Sequence, residues 1–517
     1  MHESFDVAII GGAFSGAATG LLLKRRSPHL RVLIVEKAAQ FDRKVGESTT
    51  EVSSWFLTRV LGLTHHLGHE HLAKQGLRMW FCNAPEQPFE ECVELGARYN
   101  SRLSGFQVDR ATLDEHVLKL AIEAGCELMR SAKVEDVELG GAGKNVLRVR
   151  LGDETREVRA SWVVDASGRA AVLARKLGLF TRLDGHPTSA LWARFTGVRD
   201  WDGHEMRAKF PAYAGACRTA RSWATNHLMG LGWWCWIIPL KGGDYSVGLV
   251  YDTRLFQPPA GATIGGRLLA HFRTHPVGRE ILAGAQPVEG DQRAYSMLPY
   301  FSEKIAGDGW MLVGDASNFI DPFYSPGLDL CAYTAHTAHT LLARALAGEG
   351  IGADVEKYNA HFAFCHRAWF EAIYRDKYFY MGDAELMSAA FLLDIAFYYA
   401  GLVRPVYADP DLEFSRLPFD GVPGKIAARA LAFYNRRLAA LARKKIAAGC
   451  YGDRNANWRL LIPGFVPDAS LWKPIARGLF RWLRAEMRCA FLPSTPCAEA
   501  RSVASGAENP GTLKEGV

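Results

Sequence analysis

The run DVAIIGGAFSG, Asp6 to Gly16, constrains the fold of this chain more than any other stretch. Phe5 to Ile10 is a short apolar, β-branched segment of the kind a buried parallel strand needs, and the glycine-rich turn leads straight into a helical pattern, Ala17 to Arg26. A second strand pattern, Arg31 to Glu36, follows. Strand, turn, helix and strand of this size form a βαβ unit, which commits the N-terminal part to an α/β architecture with helices packed on a parallel sheet. Gly11, Ala13 and Gly16 occupy the G-x-G-x-x-G frame, and Glu36 stands twenty-five positions past the first glycine. Tight turning, close approach of backbone to a pyrophosphate and helix packing each favour small residues, while the helix N-terminus offers partial positive charge. The turn Gly11, Gly12, Ala13, Phe14, Ser15 and Gly16 therefore reads as a dinucleotide site, with Glu36 accepting from a ribose hydroxyl and Lys37 beside it. Ala13 in place of the middle glycine crowds the phosphate approach slightly. A βαβ unit with a tight turn and no nucleotide is the alternative at this point.

Further along, Leu147 to Arg150, Glu157 to Val164 (ending in DASGR) and Trp310 to Val313 (ending in GDAS) have strand patterns suited to the same sheet. Ala190 to Thr196, Trp233 to Ile238 and Tyr245 to Tyr251 predict a second, largely antiparallel layer inserted between them. From Leu328 onward the pattern turns helical. The expected organisation is a discontinuous nucleotide domain, 1–185 and 290–350, a sheet domain, 186–289, a helical region, 351–492, and a disordered tail, 493–517. The apolar stretch Ala389 to Val403 is too short to span a bilayer comfortably and carries Asp394, so it reads as a buried helix.

Composition narrows the function classes. A formal charge of +6 spread over 517 residues gives nucleic-acid binding no support. Ten cysteines without a C-x-x-C pair or a Cys/His cluster read as reduced, mostly buried thiols of a cytoplasmic protein, with no metal site. The N-terminus lacks the basic and apolar regions of a signal peptide. Fourteen tryptophans fit either aromatic pockets or core filling. The last helical pattern, Leu471 to Leu492, mixes Trp and Phe with Lys and Arg. It is read as packing on its own protein with a solvated basic face; a peripheral membrane or acidic-partner contact through 471–492 is the alternative.

Arg110 in VDRATLDEHVLKLAIEAG, the strand end VVDASGR and the later VGDAS stand where FAD-dependent monooxygenases of the p-hydroxybenzoate hydroxylase class have theirs. The first 350 residues or so resemble that class, which implies a Rossmann-type FAD domain with an interleaved antiparallel-sheet substrate domain. The resemblance places Asp315 near the ribityl chain, Pro322 to Leu328 beside the isoalloxazine, and Gly46, Glu47, Ser48, Arg110 and Val134 among the FAD contacts.

Three features resemble flavin-dependent halogenases, in the branch with phenol- or pyrrole-like substrates. VGESTTEV, Val45 to Val52, has the G-E-S-x-x pattern that follows the first βαβ unit. Trp234, Trp236 and Pro239 complete W-x-W-x-I-P, a strand of core aromatics in any case and a halogenase signature by resemblance. Lys74 stands twenty-six residues past Ser48, where a catalytic lysine is expected; a lone lysine is ordinarily a surface charge. The resemblance implies that FAD, reduced by a separate flavin reductase, reacts with O2 and chloride or bromide to give hypohalous acid. Lys74 then delivers electrophilic halogen to an electron-rich aromatic, free or tethered to a carrier protein. It implies that halide sits on a loop ending S-x-G, here Ser325, Pro326 and Gly327. Proline has no N–H, so halide would rely on Gly327, Leu328 or the Ser325 hydroxyl, at a loss of about 1.5–3 kcal/mol. A halide-independent monooxygenase or dehydrogenase on the same fold is the rival reading.

Overall fold

The N-terminal strand β1 (Glu3–Ile10), helix α1 (Phe14–Arg26) and strand β2 (Val32–Glu36) form the expected right-sized unit at the centre of an eight-stranded sheet. The computed structural model describes residues 3–492 except 104, 409–413 and 415–417; the tail read as disordered lies outside the described residues. β1 runs parallel to β2, with Val7 opposite Val32, and parallel to Glu154–Asp165, with Ile10 opposite Asp165. All five residues of β2 are buried, which accounts for its unbroken apolar run up to the terminal Glu36. Trp310–Leu312 adds a further parallel strand beside Glu154–Asp165. The C-terminal ends of these strands carry the turns that hold ligands in such sheets.

The turn after β1 is dictated sterically. Gly11 has φ +100°, and a Cβ there would lie 2.6 Å from the Ala166 carbonyl oxygen; a Cβ on Gly16 would lie 2.0 Å from the Gly11 oxygen. Strand end, helix start and the neighbouring DASGR turn thus touch backbone to backbone.

A second eight-stranded sheet has the order Gln286–Tyr295, Thr188–Thr196, Tyr245–Asp252, Trp233–Pro239, Thr225–Gly230, Leu77–Phe81, Val93–Ala97, Arg459–Ile462. It is antiparallel except at the Thr225–Gly230/Leu77–Phe81 and Val93–Ala97/Arg459–Ile462 pairs. The sheet extends past 186–289, recruiting two strands from before that span and one from the end of the chain. This closure brings Lys74, just ahead of Leu77–Phe81, into the middle of the molecule.

The helical region begins with α2 (Gly327–Leu346) and includes α3 (Ala384–Tyr398), α4 (Gly421–Ala447) and α5 (Trp472–Ala490). The apolar stretch Ala384–Ala408 is long enough to cross a membrane by composition, yet it is mostly buried inside the protein. α3 is covered by α5, where Gly478 lets the helices approach: a Cβ there would lie 2.8 Å from Leu393 Cγ. The helix Gly352–Trp369 is followed by a π-helical turn, Phe370–Tyr374. A second such turn, Tyr399–Val403, follows α3. The nine cysteines among the described residues are all free thiols.

Candidate active site

Two cavities meet at one proline. The first, about 330 Å³, is lined by Ala13, Phe14 and Ser15 of the glycine turn and by Gly46, Glu47 and Ser48 of VGES. Arg110, Asp315, and the loop residues Pro322, Ser325, Gly327 and Leu328 close it. Arg110 opens the helix Arg110–Glu123 and is steadied by Asp114, Nε to Oδ1 3.1 Å. Gly46 makes room for it, since with φ +100° any Cβ would sit 2.5 Å from Arg110 Nη1. Asp315 follows Gly314, whose missing Cβ would lie 2.2 Å from Ser15 Oγ, so the GDAS turn presses against the glycine turn. Burial pushes the Asp315 carboxyl upward, opposed by the charges of Arg110, Arg169 and Lys44. Among the described residues no side chain or amide donates to its carboxylate, which leaves an acceptor facing the cavity. A small-residue cradle at a helix N-terminus, a guanidinium and an acceptor without a donor fit the pyrophosphate and ribityl groups of FAD.

The remaining residues of the predicted cofactor set stand off this wall. Gly11, Gly12 and Gly16 support the turn from behind. Glu36 is buried, and its two carboxylate oxygens accept from the N–H groups of Gly12 (2.8 Å) and Ala38 (2.7 Å). It therefore holds the turn, with lone pairs left over for a ribose hydroxyl. Lys37 is exposed, and Val134 is half-buried on the strand Ala132–Glu138; neither lines the cavity.

The second cavity, about 130 Å³, contains Lys74. Its Nζ is buried and donates to the Thr49 carbonyl oxygen at 2.6 Å. Burial pushes this amine down to about 8, against the upward pull of Glu51 and Asp329. Tyr374, Phe391, Tyr398 and Tyr399 give the cavity an aromatic wall. Tyr374 and Tyr399 come from the π-helical turns Phe370–Tyr374 and Tyr399–Val403, a device that re-aims side chains at functional sites. Glu51 and Asp329 were missed in the sequence, although Glu51 belongs to the VGESTTEV motif and Asp329 follows the S-x-G loop. Asp329 Oδ1 accepts from Thr50 Oγ1 (2.5 Å) and Ser53 N–H (3.0 Å), whereas Oδ2 is buried without a partner among the described residues. Burial raises this carboxyl to about 7.

Pro326 lines both cavities, so its loop forms their common wall. It immediately precedes α2 with helical backbone angles, φ −77° and ψ −10°. The two residues before it, Tyr324 and Ser325, are left-handed at φ +69° and +59°. Such strain persists only where the surroundings enforce it. Tyr324 Oη donates to Asp394 Oδ2 (3.1 Å), and the same oxygen pairs with the buried Lys377 (2.5 Å) while Tyr434 donates to Oδ1. Asp394, the charge inside the apolar helix pattern, is thus an anchor for this loop. The Ser325 N–H is spent on Pro322 O at 3.0 Å. The amides of Gly327 and Leu328 precede the first bond of the helix, Leu330 N–H to Pro326 O, and have no partner among the described residues.

Trp234 and Trp236 both line the first cavity, while Pro239 ends their strand opposite Tyr245 and lies outside it. Trp234 Nε1 donates to Tyr378 Oη (2.9 Å), which donates to Asp321 Oδ2 (2.9 Å); His186 Nε2 meets the same oxygen at 3.1 Å. The tryptophan strand is therefore tied through Tyr378 to the loop carrying Pro326, a connection no motif announced.

The sequence profile of the family described as Tryptophan halogenase matches residues 89–375, more than half of the chain. The chain belongs to the tryptophan halogenase family. Among relatives, "Flavin-dependent halogenase chlA" of Dictyostelium discoideum is 25% identical over 362 residues, 63% of this chain and 58% of that protein. "Tetracycline 7-halogenase" of Kitasatospora aureofaciens is 27% identical over 353 residues, 63% and 60% of the two chains. This halogenase-family chain thus matches less than two thirds of the length of those two relatives. The fold is that of halogenase PltM, solved with phloroglucinol and FAD, at TM-score 0.73 and 17% identity over 93% of this chain and 98% of that one. It is also shared with a flavoprotein/dehydrogenase from Cytophaga hutchinsonii, at TM-score 0.61 and 19% identity over 85% and 99% of the two chains.

Proposed function

We propose that this family member is an FADH2-dependent halogenase of electron-rich aromatic substrates, with Lys74 as the delivery residue. One observation carries the reading: a buried amine in an aromatic cavity that shares only a loop wall with the cavity fitted for FAD. When bound in reduced form, the flavin supplies with O2 the oxidising power that makes halide electrophilic. The chain's own groups do the rest. Ala13, Ser15, Arg110 and Asp315 hold the cofactor, Trp234 and Trp236 screen its cavity, and the open amides of Gly327 and Leu328 take chloride or bromide. Lys74, with an amine pushed down to about 8, is a donor that also reaches its neutral form near physiological pH. It can therefore hold hypohalous acid by hydrogen bonding or accept halogen on nitrogen, then present it to the ring. Glu51 and Asp329 face it as proton acceptors for the hydrogen lost from that ring.

The aromatic wall suits a phenol-like or pyrrole-like substrate. Relatives that include a "1H-pyrrole-2-carbonyl-[peptidyl-carrier protein] chlorinase" of Pseudomonas fluorescens support a carrier-tethered form. On this reading a separate reductase supplies the reduced flavin. The test supplies reductase-generated FADH2, O2, bromide and a panel of phenols and pyrroles, free and carrier-bound. Brominated product that disappears in Lys74→Ala is expected; full bromination by that variant would overturn the assignment. The rival, a halide-independent monooxygenase, is favoured by a loop with one amide missing at Pro326 and another engaged at Ser325. Oxygenated product formed equally with and without halide would establish it.

A further inference from the structure

The C-terminal helix α5 has three faces. Gly478, Ala485 and Cys489 are buried against the protein. A second face carries Lys473, Arg477, Arg481, Arg484 and Arg488. The third is apolar and open to solvent: Trp472 is 63% exposed, Phe480 64%, Met487 60%, and Leu479 and Leu483 lie between them. This stripe is continuous with another on α4, where Val422, Ile426 and Phe433 are exposed. Phe433 packs edge-on against Trp482, ring centroids 6.0 Å apart, and Arg437 pairs with Glu486 at 2.7 Å beside them. Contiguous large apolar side chains in the open mark an interaction surface.

Its charge identifies the partner. The helices α4 and α5 hold twelve lysines and arginines against a single acid, Glu486, whereas the whole chain is only +6, so the rest of the molecule is net negative. Arg443, Lys445 and Arg488 are paired with Asp376, Asp383 and Glu385 of other elements, while Lys473, Arg477 and Arg484 are exposed beside the stripe. A second copy of this chain would bring two such basic faces together, which repulsion disfavours. A helix with aromatic and aliphatic side chains on one flank and Lys or Arg along the other is built to lie at an anionic lipid surface.

We propose that the exposed face of α4 and α5 docks the protein on anionic phospholipid membranes, with Trp472, Phe480, Leu483 and Met487 entering the interface and the flanking cations meeting the headgroups. This does not depend on the halogenase reading. The face also borders the Lys74 cavity: a groove of about 510 Å³ reaching Lys473 and Arg477 shares Ile462, Gly464 and Phe465 with it.

Flotation of the full chain with phosphatidylcholine vesicles, and with vesicles that also contain phosphatidylglycerol, tests the proposal. Binding to the second kind alone is expected, weakened by salt. It should fall by about tenfold or more in Arg477→Gln/Arg484→Gln, at roughly fivefold per cation, and at least as much in Phe480→Ser/Leu483→Ser. Both pairs are exposed, so melting temperature and turnover of a dissolved substrate should stay unchanged. Failure to float with anionic vesicles overturns the proposal, as does binding that neither variant weakens. A dimer abolished by Phe480→Ser/Leu483→Ser, or an acidic carrier protein held by the wild type but not by the variants in the absence of vesicle binding, also overturns it.

Discussion

The two cavities on either side of Pro326 are built by opposite means. The one fitted for FAD is framed by backbone, with turns at strand ends, glycines admitting close approach and a helix N-terminus, and is completed by Arg110, Asp315, Trp234 and Trp236. The one holding Lys74 is made of side chains: tyrosines and phenylalanine from the helical region gathered around a buried amine. Backbone cradles tolerate drift at most positions because main-chain atoms make the contacts; an aromatic cavity changes shape with every substitution in its wall. On the proposed function, cofactor binding would rest on the first kind of wall and substrate choice on the second.

If that contrast is right, Lys74→Met should fall hardest on product formation and leave cofactor binding intact. A loss of about a hundredfold or more in halogenation is expected, with FAD affinity unchanged by fluorescence titration. The same variant should be more stable than the wild type at pH 7. The Lys74 amine is lowered from 10.5 to about 8 on folding, so burying its charge is unfavourable below pH 8 and the penalty fades as pH rises toward 10.5. Chemical denaturation at pH 7 and 10 reads this directly, and a variant less stable at both would mark Lys74 as structural.

Asp315→Asn acts on the other side of the wall. Exchanging an ionic acceptor for an amide should weaken FAD binding by roughly ten- to a hundredfold without altering the regiochemistry of product. Pro326→Ser restores an N–H next to Gly327 and is expected to lower the bromide KM by about tenfold; an unchanged value would show that the loop does not hold halide. The smallest effect is on Asp329. Its carboxyl rises from 3.8 to about 7 on folding, so its contribution to stability is full below pH 4 and is lost as pH rises through 7. Asp329→Asn should therefore gain on the wild type across that window, most of all at pH 8. A constant difference from pH 4 to 8 would mean that the carboxylate is satisfied after all.

Motif-bearing residues were legible because local geometry demands them. Gly11, Gly16 and Gly46 are set by contacts with nearby backbone or with Arg110, and the W-x-W-x-I-P strand by alternation within one sheet. Glu36 was read for its position at the end of β2, but its use as a clamp on Gly12 and Ala38 needed coordinates. Tyr378 and Asp394 were illegible as site residues: one is a tyrosine in a short helix, the other a charge in an apolar run. Each acquires meaning only through a partner more than fifty positions away, Asp321 and Tyr324 respectively.

From chain order come the βαβ unit, the dinucleotide turn and the tryptophan strand, because each rests on interactions among neighbours in sequence or on a repeat of two or 3.6 residues. Lys74 was marked by resemblance to a family alone. Folding alone places Lys74 in an enclosed aromatic cavity, ties Trp234 to the Pro326 loop and leaves one face of α5 uncovered. Those outcomes depend on which side chains meet across hundreds of residues, and burial, which moves the Lys74 amine toward neutrality and makes large apolar groups on α5 conspicuous, is a property of packing that no local pattern encodes.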